Sequence, residues 1–270
     1  MLFRFPILIL AAISVLAVFS LGHLRAVSTQ TVSVNDDGSR VPVLIELFTS
    51  EGCSSCPPAD SLLERLDRSQ PARGAELIVL SEHVDYWDDI GWKDPYSSHE
   101  YSERQSAYAG RFGLGSIYTP QMVVDGHIEF VSSDERRAAQ AIANATKVEK
   151  TLVTISSIRL SDEKTISLHL ETGPLASSIE GNSAEVWIAT ADDSDESHVS
   201  RGENAGRTLR HVAVLRNLVR VGTVTSTDKF SRDVSVRLNN PDSRNIKLVA
   251  IVQELMAGRV WGVESTRFSR

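Results

Sequence analysis

Two cysteines with two residues between them are the part of this sequence that is best suited to chemistry. Cys53 and Cys56 are the only cysteines among 270 residues, and Ser54 and Ser55 separate them. An apolar, strand-like run precedes the pair and a helix-like run follows it. A thiol at the start of a helix lies near unpaired backbone N–H groups and the positive end of the helix dipole, which stabilise its thiolate. This placement predicts a redox-active dithiol in which Cys53 is the nucleophile and Cys56 is the resolving thiol.

Two other interpretations of the cysteine pair stay open. A purely structural disulfide is disfavoured, because closing so short a loop removes little entropy from the unfolded chain. A structural zinc site needs four ligands, and the sequence has no second cysteine pair. Histidine can complete a copper or zinc site, and the candidates are His83, His99 and His127, none of which stands in a recognisable ligand spacing. Metal binding is therefore the alternative to redox chemistry.

Composition narrows the class of partner. The chain is 41% hydrophobic and 23% charged, as in an ordinary globular protein, and it is long enough for two domains. Its formal net charge is −7, and its lysines and arginines are mostly scattered, whereas phosphate binding needs a clustered basic surface. We therefore expect no nucleic-acid partner, and no motif in the chain calls for a cofactor.

The N-terminus has the pattern of a targeting segment. Arg4 precedes an apolar run from Phe5 to Val18, and the sequence becomes polar again before Ser28. This pattern predicts a signal peptide or signal anchor over residues 1–28, followed by a linker over residues 29–40. The remainder is then periplasmic or secreted, in a compartment where disulfides persist, and contacts a membrane only if the N-terminal segment is kept.

The first half of the chain alternates between strand and helix patterns. Residues 41–150 predict the order β-α-β-α-β-β-α. The first strand, Val41–Phe48, is apolar except for Glu46. The first helix begins at Pro57 and Pro58, because proline is tolerated in a first helical turn, and its pattern predicts that Asp60 stays on the solvent side.

This element order, with a dithiol at the first strand-to-helix turn and Pro120 opening the penultimate strand, resembles the thioredoxin fold. The resemblance implies that the Thr119–Pro120 bond is cis, that Pro120 packs against the dithiol, and that the backbone of Thr119 pairs with a bound peptide. It also implies that Glu46, with one residue of extra spacing, is the buried acid that takes a proton from Cys56.

Four further motifs are distinctive, namely Leu47–Pro58, Val84–Trp87, Tyr118–Gln121 and Gly202–Arg207. Together they resemble a more specific family, the exported thioredoxin-like proteins catalogued as domain of unknown function family twelve-twenty-three (DUF1223). The resemblance implies the fold and export, covers nearly the whole chain after the N-terminal segment, and carries no established substrate.

From about Thr151 the sequence changes to alternating strand patterns separated by turns rich in Asp, Gly and Asn. Strands that follow one another without long helices are typical of a β-sandwich or barrel. The predicted fold class is thus an α/β thioredoxin-like domain over residues 41–150, followed by a β-rich, sandwich-like domain over residues 151–270 that packs on it.

Two polar or aromatic loops have no assigned role at this point. The stretch Asp85–Trp92 is either the wall of a substrate groove or a packed surface loop with its rings turned inward. The stretch Gly202–Arg207 either reaches the dithiol or is a plain hairpin connection, and its composition slightly favours the plain connection.

The predicted function is that of an exported thiol–disulfide oxidoreductase. Its Cys53–Cys56 dithiol would exchange with a protein or small-molecule thiol or disulfide substrate, and a membrane-bound electron donor is a possible partner. The alternatives are a thioredoxin-like copper-binding protein or metallochaperone, and a non-catalytic binding module in which the dithiol senses the redox state.

Overall fold

The computed structural model describes residues 40–175 and 183–270. The predicted signal segment 1–28, and the predicted linker 29–40 apart from Arg40, lie outside the described residues. Within the described part of the chain, no helix combines the length and the apolar character needed to cross a bilayer.

Strands are the main regular structure of the described chain. The first half alternates strands with three helices, and the described part of the second half contains strands without a long helix. In chain order the elements are β1 (Val41–Thr49), α1 (Pro57–Ser69), β2 (Ala75–His83), α2 (His99–Phe112), β3 (Gln121–Val124), β4 (Ile128–Val131), α3 (Glu135–Ala145), β5 (Val153–Asp162), β6 (Thr165–Thr172), β7 (Ser183–His198), β8 (Thr208–Thr225), β9 (Phe230–Arg237), β10 (Asn245–Glu254) and β11 (Val260–Ser269).

A single sheet joins the two halves of the sequence. Its eight strands have the order β11-β10-β7-β8-β2-β1-β3-β4, and a separate three-stranded sheet has the order β5-β6-β9. The strand that joins the halves is β8, which pairs in parallel with β2 where Val214 meets Ser81. The predicted fold class, a thioredoxin-like α/β fold followed by a separate β-rich domain, is therefore wrong. The sequence analysis predicts no strand over residues 208–225, and local periodicity does not show which distant strands lie side by side.

The faces of β1 pack against different helices. Ile45 and Leu47 belong to the core formed with α1 and α3, and they alternate along the strand with residues that point the other way. On the opposite face, Leu44 packs with Tyr101, and Phe48 packs with another residue of α2. The three-stranded sheet shares a third core with β7, β8 and β10. The cysteine pair follows β1, so this alternation determines which side chains lie beneath it.

Candidate active site around the cysteine pair

Cys53 and Cys56 form a disulfide in the turn between β1 and α1, with their Cα atoms 5.4 Å apart. Cys56 is the N-cap residue of α1, and Pro57 follows it at the first helical position. Both cysteine side chains are completely buried, whereas Ser54 and Ser55 between them are exposed. The predicted pair is thus present at the start of the predicted helix, in its oxidised form, beneath a covering of other residues.

The predicted proline site lies at the same end of the sheet as the disulfide. Gln121, the first residue of β3, pairs with Phe48 near the end of β1, and the Thr119–Pro120 peptide bond just before it is cis. The Thr119 hydroxyl oxygen accepts a hydrogen bond of 2.8 Å from the indole N–H of Trp87. Pro120 itself is buried.

The aromatic loop between β2 and α2 packs against the cysteine turn. A Cβ atom added at Gly52 would lie 3.0 Å from the Cβ of Trp87, so this close approach favours glycine. The indole N–H of Trp92 donates a 2.8 Å hydrogen bond to the carboxylate of Glu51. Both indole rings are turned inward, which agrees with the interpretation of this stretch as a packed surface loop.

The loop between β7 and β8 covers the cysteine turn from the other side. The side-chain amide of Asn204 donates to the carbonyl oxygens of Glu51, at 2.8 Å, and Cys53, at 3.0 Å. The carboxylate of Glu203 accepts a 3.1 Å hydrogen bond from the backbone N–H of Ser54. The interpretation of this stretch as a plain hairpin connection is therefore wrong. The hairpin that carries it is long enough to reach the disulfide, which residue composition does not reveal.

The two covering loops also contact each other. Gly202 has a positive φ of 76°, and a Cβ atom added there would lie 3.2 Å from the Cβ of Trp92. Glycine adopts this backbone conformation without steric cost. The disulfide is thus enclosed by the cysteine turn itself, the loop after β2 and the loop before β8.

A buried cluster of acids and histidines lies beneath the cysteine turn. The carboxylate of Glu51 accepts hydrogen bonds from Trp92 and from the hydroxyl of Ser197, and it lies 3.3 Å from Nε2 of His211. The other ring nitrogen of His211, Nδ1, is 3.9 Å from Oδ1 of Asp60. Burial lowers the pKa of His211, but the carboxylates of Glu51 and Asp60 outweigh it, so that the net shift is upward.

A second histidine–carboxylate pair borders this cluster. Nδ1 of His83 lies 2.7 Å from the carboxylate of Asp94, which also accepts a 2.8 Å hydrogen bond from the backbone N–H of Glu51. Burial raises the pKa of Asp94, but His83 and these hydrogen bonds outweigh it and bring the pKa below its ordinary value. The rings of His83 and His211 meet edge to face, with centroids 4.5 Å apart.

Asp60 lies inside the protein, and the prediction that it stays on the solvent side of α1 is wrong. Its side chain is 6% exposed, and Oδ1 accepts a 2.8 Å hydrogen bond from the hydroxyl of Thr49. Burial raises the pKa of Asp60, and the opposing effects of His211, His83 and the hydroxyl do not cancel it. The helix pattern missed this residue because a charged side chain is ordinarily assigned to the solvent face. Its position four residues after Cys56 was the available signal.

Glu46 lies on the other face of the sheet from α1. Its carboxylate accepts hydrogen bonds from the guanidinium of Arg104, at 2.7 Å, and from the hydroxyl of Tyr108, at 2.5 Å. Both partners belong to α2, whereas Ile45 and Leu47 on either side of Glu46 face α1. Within the described residues, no hydrogen bond joins Glu46 to either cysteine.

The three histidines considered as metal ligands are separate in the structure. His83 is bound to Asp94, His99 lies 3.1 Å from Asp85 on the surface, and Nε2 of His127 is 2.6 Å from a guanidinium nitrogen of Arg259. Across residues 40–175 and 183–270, no group of three or more His, Cys, Asp and Glu side chains is arranged to hold a metal ion.

A family model described as a protein of unknown function, DUF1223, matches residues 44–253. The chain belongs to the DUF1223 family. The matched residues include the cysteine pair, the aromatic loop, the cis-proline segment and the loop that carries Asn204, so the resemblance based on these motifs is confirmed. Membership of the thioredoxin superfamily is not shown by the match.

Among solved structures, the chain is similar to the X-ray structure of a protein from Agrobacterium tumefaciens. The two are 21% identical with a TM-score of 0.63, and the match covers 84% of this chain and 94% of that one. This likeness shows a shared fold and nothing about activity. A search of curated proteins found no match.

Two further solved structures share too little to bear on the fold. A β-glucosidase from Kluyveromyces marxianus has a TM-score of 0.24 at 12% identity, over 45% of this chain and 14% of that one. The sporulation control protein Spo0M from Bacillus subtilis has a TM-score of 0.28 at 9% identity, over 44% of this chain and 48% of that one.

Proposed function

We propose that this DUF1223 protein is an exported thiol–disulfide oxidoreductase that uses Cys53 and Cys56. The observation that carries the proposal is the disulfide between these residues at the N-terminus of α1. The dipole of α1 favours a thiolate there. The hydroxyl of Ser55, whose oxygen lies 3.3 Å from Sγ of Cys53, can donate a hydrogen bond that stabilises this thiolate. Export rests on the apolar N-terminal run in the sequence.

The reaction is an exchange of disulfide bonds. In the oxidised protein, a substrate thiolate attacks Sγ of Cys53 and forms a mixed disulfide, while the bond to Cys56 breaks and Cys56 leaves with the electron pair. A second substrate thiolate then attacks the substrate sulfur of the mixed disulfide and releases Cys53 as a thiolate. Two electrons pass from the substrate to the protein, and the substrate becomes a disulfide. The reverse sequence reduces a substrate disulfide, with the reduced protein restored by an electron donor, which we place at the membrane.

Access to the sulfurs requires a covering loop to move. Both sulfurs are buried, and thiolate attack needs direct contact with a sulfur atom. The loop that carries Glu203 and Asn204 is the more exposed cover, and three hydrogen bonds hold it to the cysteine turn. We therefore place substrate binding at the cysteine turn, where this loop covers it. The roles of Thr119 and Pro120 in holding a bound peptide stay predictions.

Cysteine variants test the proposal. The reduced full chain is mixed with glutathione disulfide or with a peptide disulfide, and the products are followed by mass spectrometry after acid quenching. We expect Cys53→Ser to abolish turnover and Cys56→Ser to accumulate a mixed disulfide at Cys53, while Ser54→Ala retains turnover. Full turnover in Cys53→Ser would refute the mechanism.

The reduction potential of the pair gives the direction of the reaction. It is measured by equilibration with glutathione buffers and thiol trapping. A value near about −270 mV identifies a reductant, and one near about −120 mV identifies an oxidant of exported proteins. The absence of a reversible couple would leave the oxidoreductase proposal without support.

The complete burial of both sulfurs favours a second candidate, a binding module in which the disulfide senses the redox state without turnover. In that case the reduced and oxidised proteins differ in hydrogen exchange at residues 199–207, and the wild-type chain turns over no disulfide. Multiple turnovers of a peptide disulfide would exclude this candidate.

A further inference from the structure

Asp60 is the carboxylate that the helix itself places beside Cys56. Cys56 has helical backbone angles, and its carbonyl oxygen accepts a 3.1 Å hydrogen bond from the backbone N–H of Asp60. Residues four apart on a helix lie on one face, with Cβ atoms about 5–6 Å apart. The two side chains therefore lie on the same face of α1, one turn from each other.

The surroundings of Asp60 differ from those of a structural acid. Oδ1 accepts one hydrogen bond, from Thr49, and within the described residues no side chain donates a hydrogen bond to Oδ2. Asp60 also lines a surface cleft of about 360 Å³ between the start of α1 and the start of β8, and this cleft is its route to solvent. A buried acid with a free oxygen and a route to solvent can exchange protons.

Other titratable and charged groups surround this carboxyl group from every neighbouring element. Those within its cluster affect its pKa, and those in the cleft border its route to water. They are His211 and Arg210 on β8, His83 on β2, Asp94 and Glu51 in the covering and cysteine loops, and Glu64 on α1.

We infer that Asp60, and not Glu46, donates a proton to the sulfur of Cys56 when the disulfide opens, an inference that rests on the proposed exchange reaction. Glu46 is separated from α1 by the sheet and is bound to Arg104 and Tyr108. Asp60 lies on the same side of the sheet as the cysteines, and its Oδ2 has no hydrogen-bond partner within residues 40–175 and 183–270.

The proton transfer balances the exchange. As a substrate thiolate attacks Cys53, Cys56 leaves as a buried thiolate, which is costly to desolvate. The protonated carboxyl of Asp60 transfers its proton to Sγ of Cys56 and becomes a carboxylate, and water in the cleft then returns a proton to it. In the reverse direction, the carboxylate takes the proton from Cys56, so that the Cys56 thiolate can attack the mixed disulfide.

Reduction kinetics of Asp60→Asn test this assignment in the full chain. The oxidised protein is mixed with dithiothreitol across a pH series, thiols are trapped with an alkylating reagent, and each rate is divided by the dithiothreitol thiolate concentration. In the wild type we expect the normalised rate to fall as pH rises through the pKa of Asp60. In Asp60→Asn we expect a rate at least about tenfold lower at the low-pH end and no dependence on pH.

Two further variants make the result specific. Thr49→Val keeps the acid but removes a hydrogen bond that stabilises its carboxylate, so the fall in rate moves to higher pH. Glu64→Gln removes a carboxylate from the same cleft without touching the cluster and leaves the profile unchanged. Thr49→Val also tests the inference if Asp60→Asn does not fold.

The outcomes distinguish a failure of the inference about Asp60 from a failure of the proposed function. A wild-type profile in Asp60→Asn overturns the role of Asp60, and so does a fall in rate that persists in Asp60→Asn but disappears in His211→Gln. The failure of the proposed function would appear in the wild type alone, as the absence of any exchange between the reduced chain and a peptide disulfide.

Discussion

Two buried carboxylates lie on opposite faces of the same sheet, and their partners differ. On the face covered by α2, Glu46 is bound by the guanidinium of Arg104, which also lies 3.7 Å from the carboxylate of Glu82. On the face covered by α1, Asp60 accepts a hydrogen bond from a hydroxyl, and its nearest cationic partner is His211, at 3.9 Å. The first cluster contains a permanent cation and the second contains a titratable one.

This difference separates a structural cluster from a responsive one. An arginine stays charged at every pH that a protein meets, so the cation of the Glu46 cluster is constant. A histidine changes its charge near neutral pH, so the cluster around Asp60 changes with conditions. The cysteine pair lies on the side of the responsive cluster. A carboxylate that exchanges protons with a thiol belongs in surroundings of this kind.

The largest expected effect on stability comes from a variant that breaks the structural cluster. Arg104→Met leaves Glu46 and Glu82 buried without their cation, and burial together with Glu46 already raises the pKa of Glu82 well above its ordinary value. We expect the free energy of unfolding to fall by about 3–5 kcal/mol, as measured by urea denaturation. Arg68→Met, which breaks the exposed pair with Glu64, is the control and changes stability by less than about 1 kcal/mol. Equal effects of the two variants would contradict the distinction.

Glu46→Gln sharpens the comparison, because it alters the structural cluster without removing its cation. Hydrogen bonds to a charged group contribute about 1.5–3 kcal/mol, and we expect a loss of stability within this range. The pH profile of disulfide reduction by dithiothreitol should match that of the wild type, because Glu46 lies across the sheet from the cysteines. A profile that loses its pH dependence would return the proton-transfer role to Glu46.

The position of Glu46 shows what residue patterns predict here and where they stop. The cysteine pair, its place before α1 and the cis Thr119–Pro120 bond followed from local spacing and from the resemblance to known folds. The match between Glu46 and the buried acid of thioredoxin requires one residue of extra spacing. Successive side chains of a strand point to opposite faces, so one residue of extra spacing places the carboxylate on the face of the sheet away from α1.

The remaining differences between the predicted and the observed structure arise from long-range contacts. The pairing of β2 with β8 joins residues about Ser81 and Val214, and no local pattern records such a partner. The same applies to Asn204, which reaches the cysteine turn from a hairpin far along the sequence. Asp60 is different, because its distance of four residues from Cys56 was visible in the sequence, and only its burial depended on the strand β8 that packs beside it.

A smaller effect is expected from opening the cover on the responsive side. Asn204→Ala removes two hydrogen bonds to carbonyl oxygens of the cysteine turn, and we expect stability to fall by about 1–2 kcal/mol. The disulfide should be reduced faster by dithiothreitol, because the loop opens more often. Glu203→Gln, which weakens one exposed contact with Ser54, should change the rate less. Unchanged or slower reduction in Asn204→Ala would show that this loop does not control access.

The smallest effect concerns stability as a function of pH. Burial raises the pKa of Asp60 in the folded chain above its ordinary value of about 4, so between these two values the folded state binds more protons than the unfolded state. Stability contributed by this group is therefore lost as pH rises from about 4 towards the folded pKa. Asp60→Asn removes that loss, so its free energy of unfolding relative to wild type should increase over this interval and stay level above it.

The pKa shift of Asp94 is downward and has the opposite sign, since the stability it contributes is lost as pH falls through its folded pKa. Urea denaturation of Asp60→Asn and Asp94→Asn at several pH values should give differences from wild type that change in opposite directions. If both differences change in the same direction, the two carboxyl groups respond to a common charge, and Asp60 does not titrate as an independent acid beside Cys56.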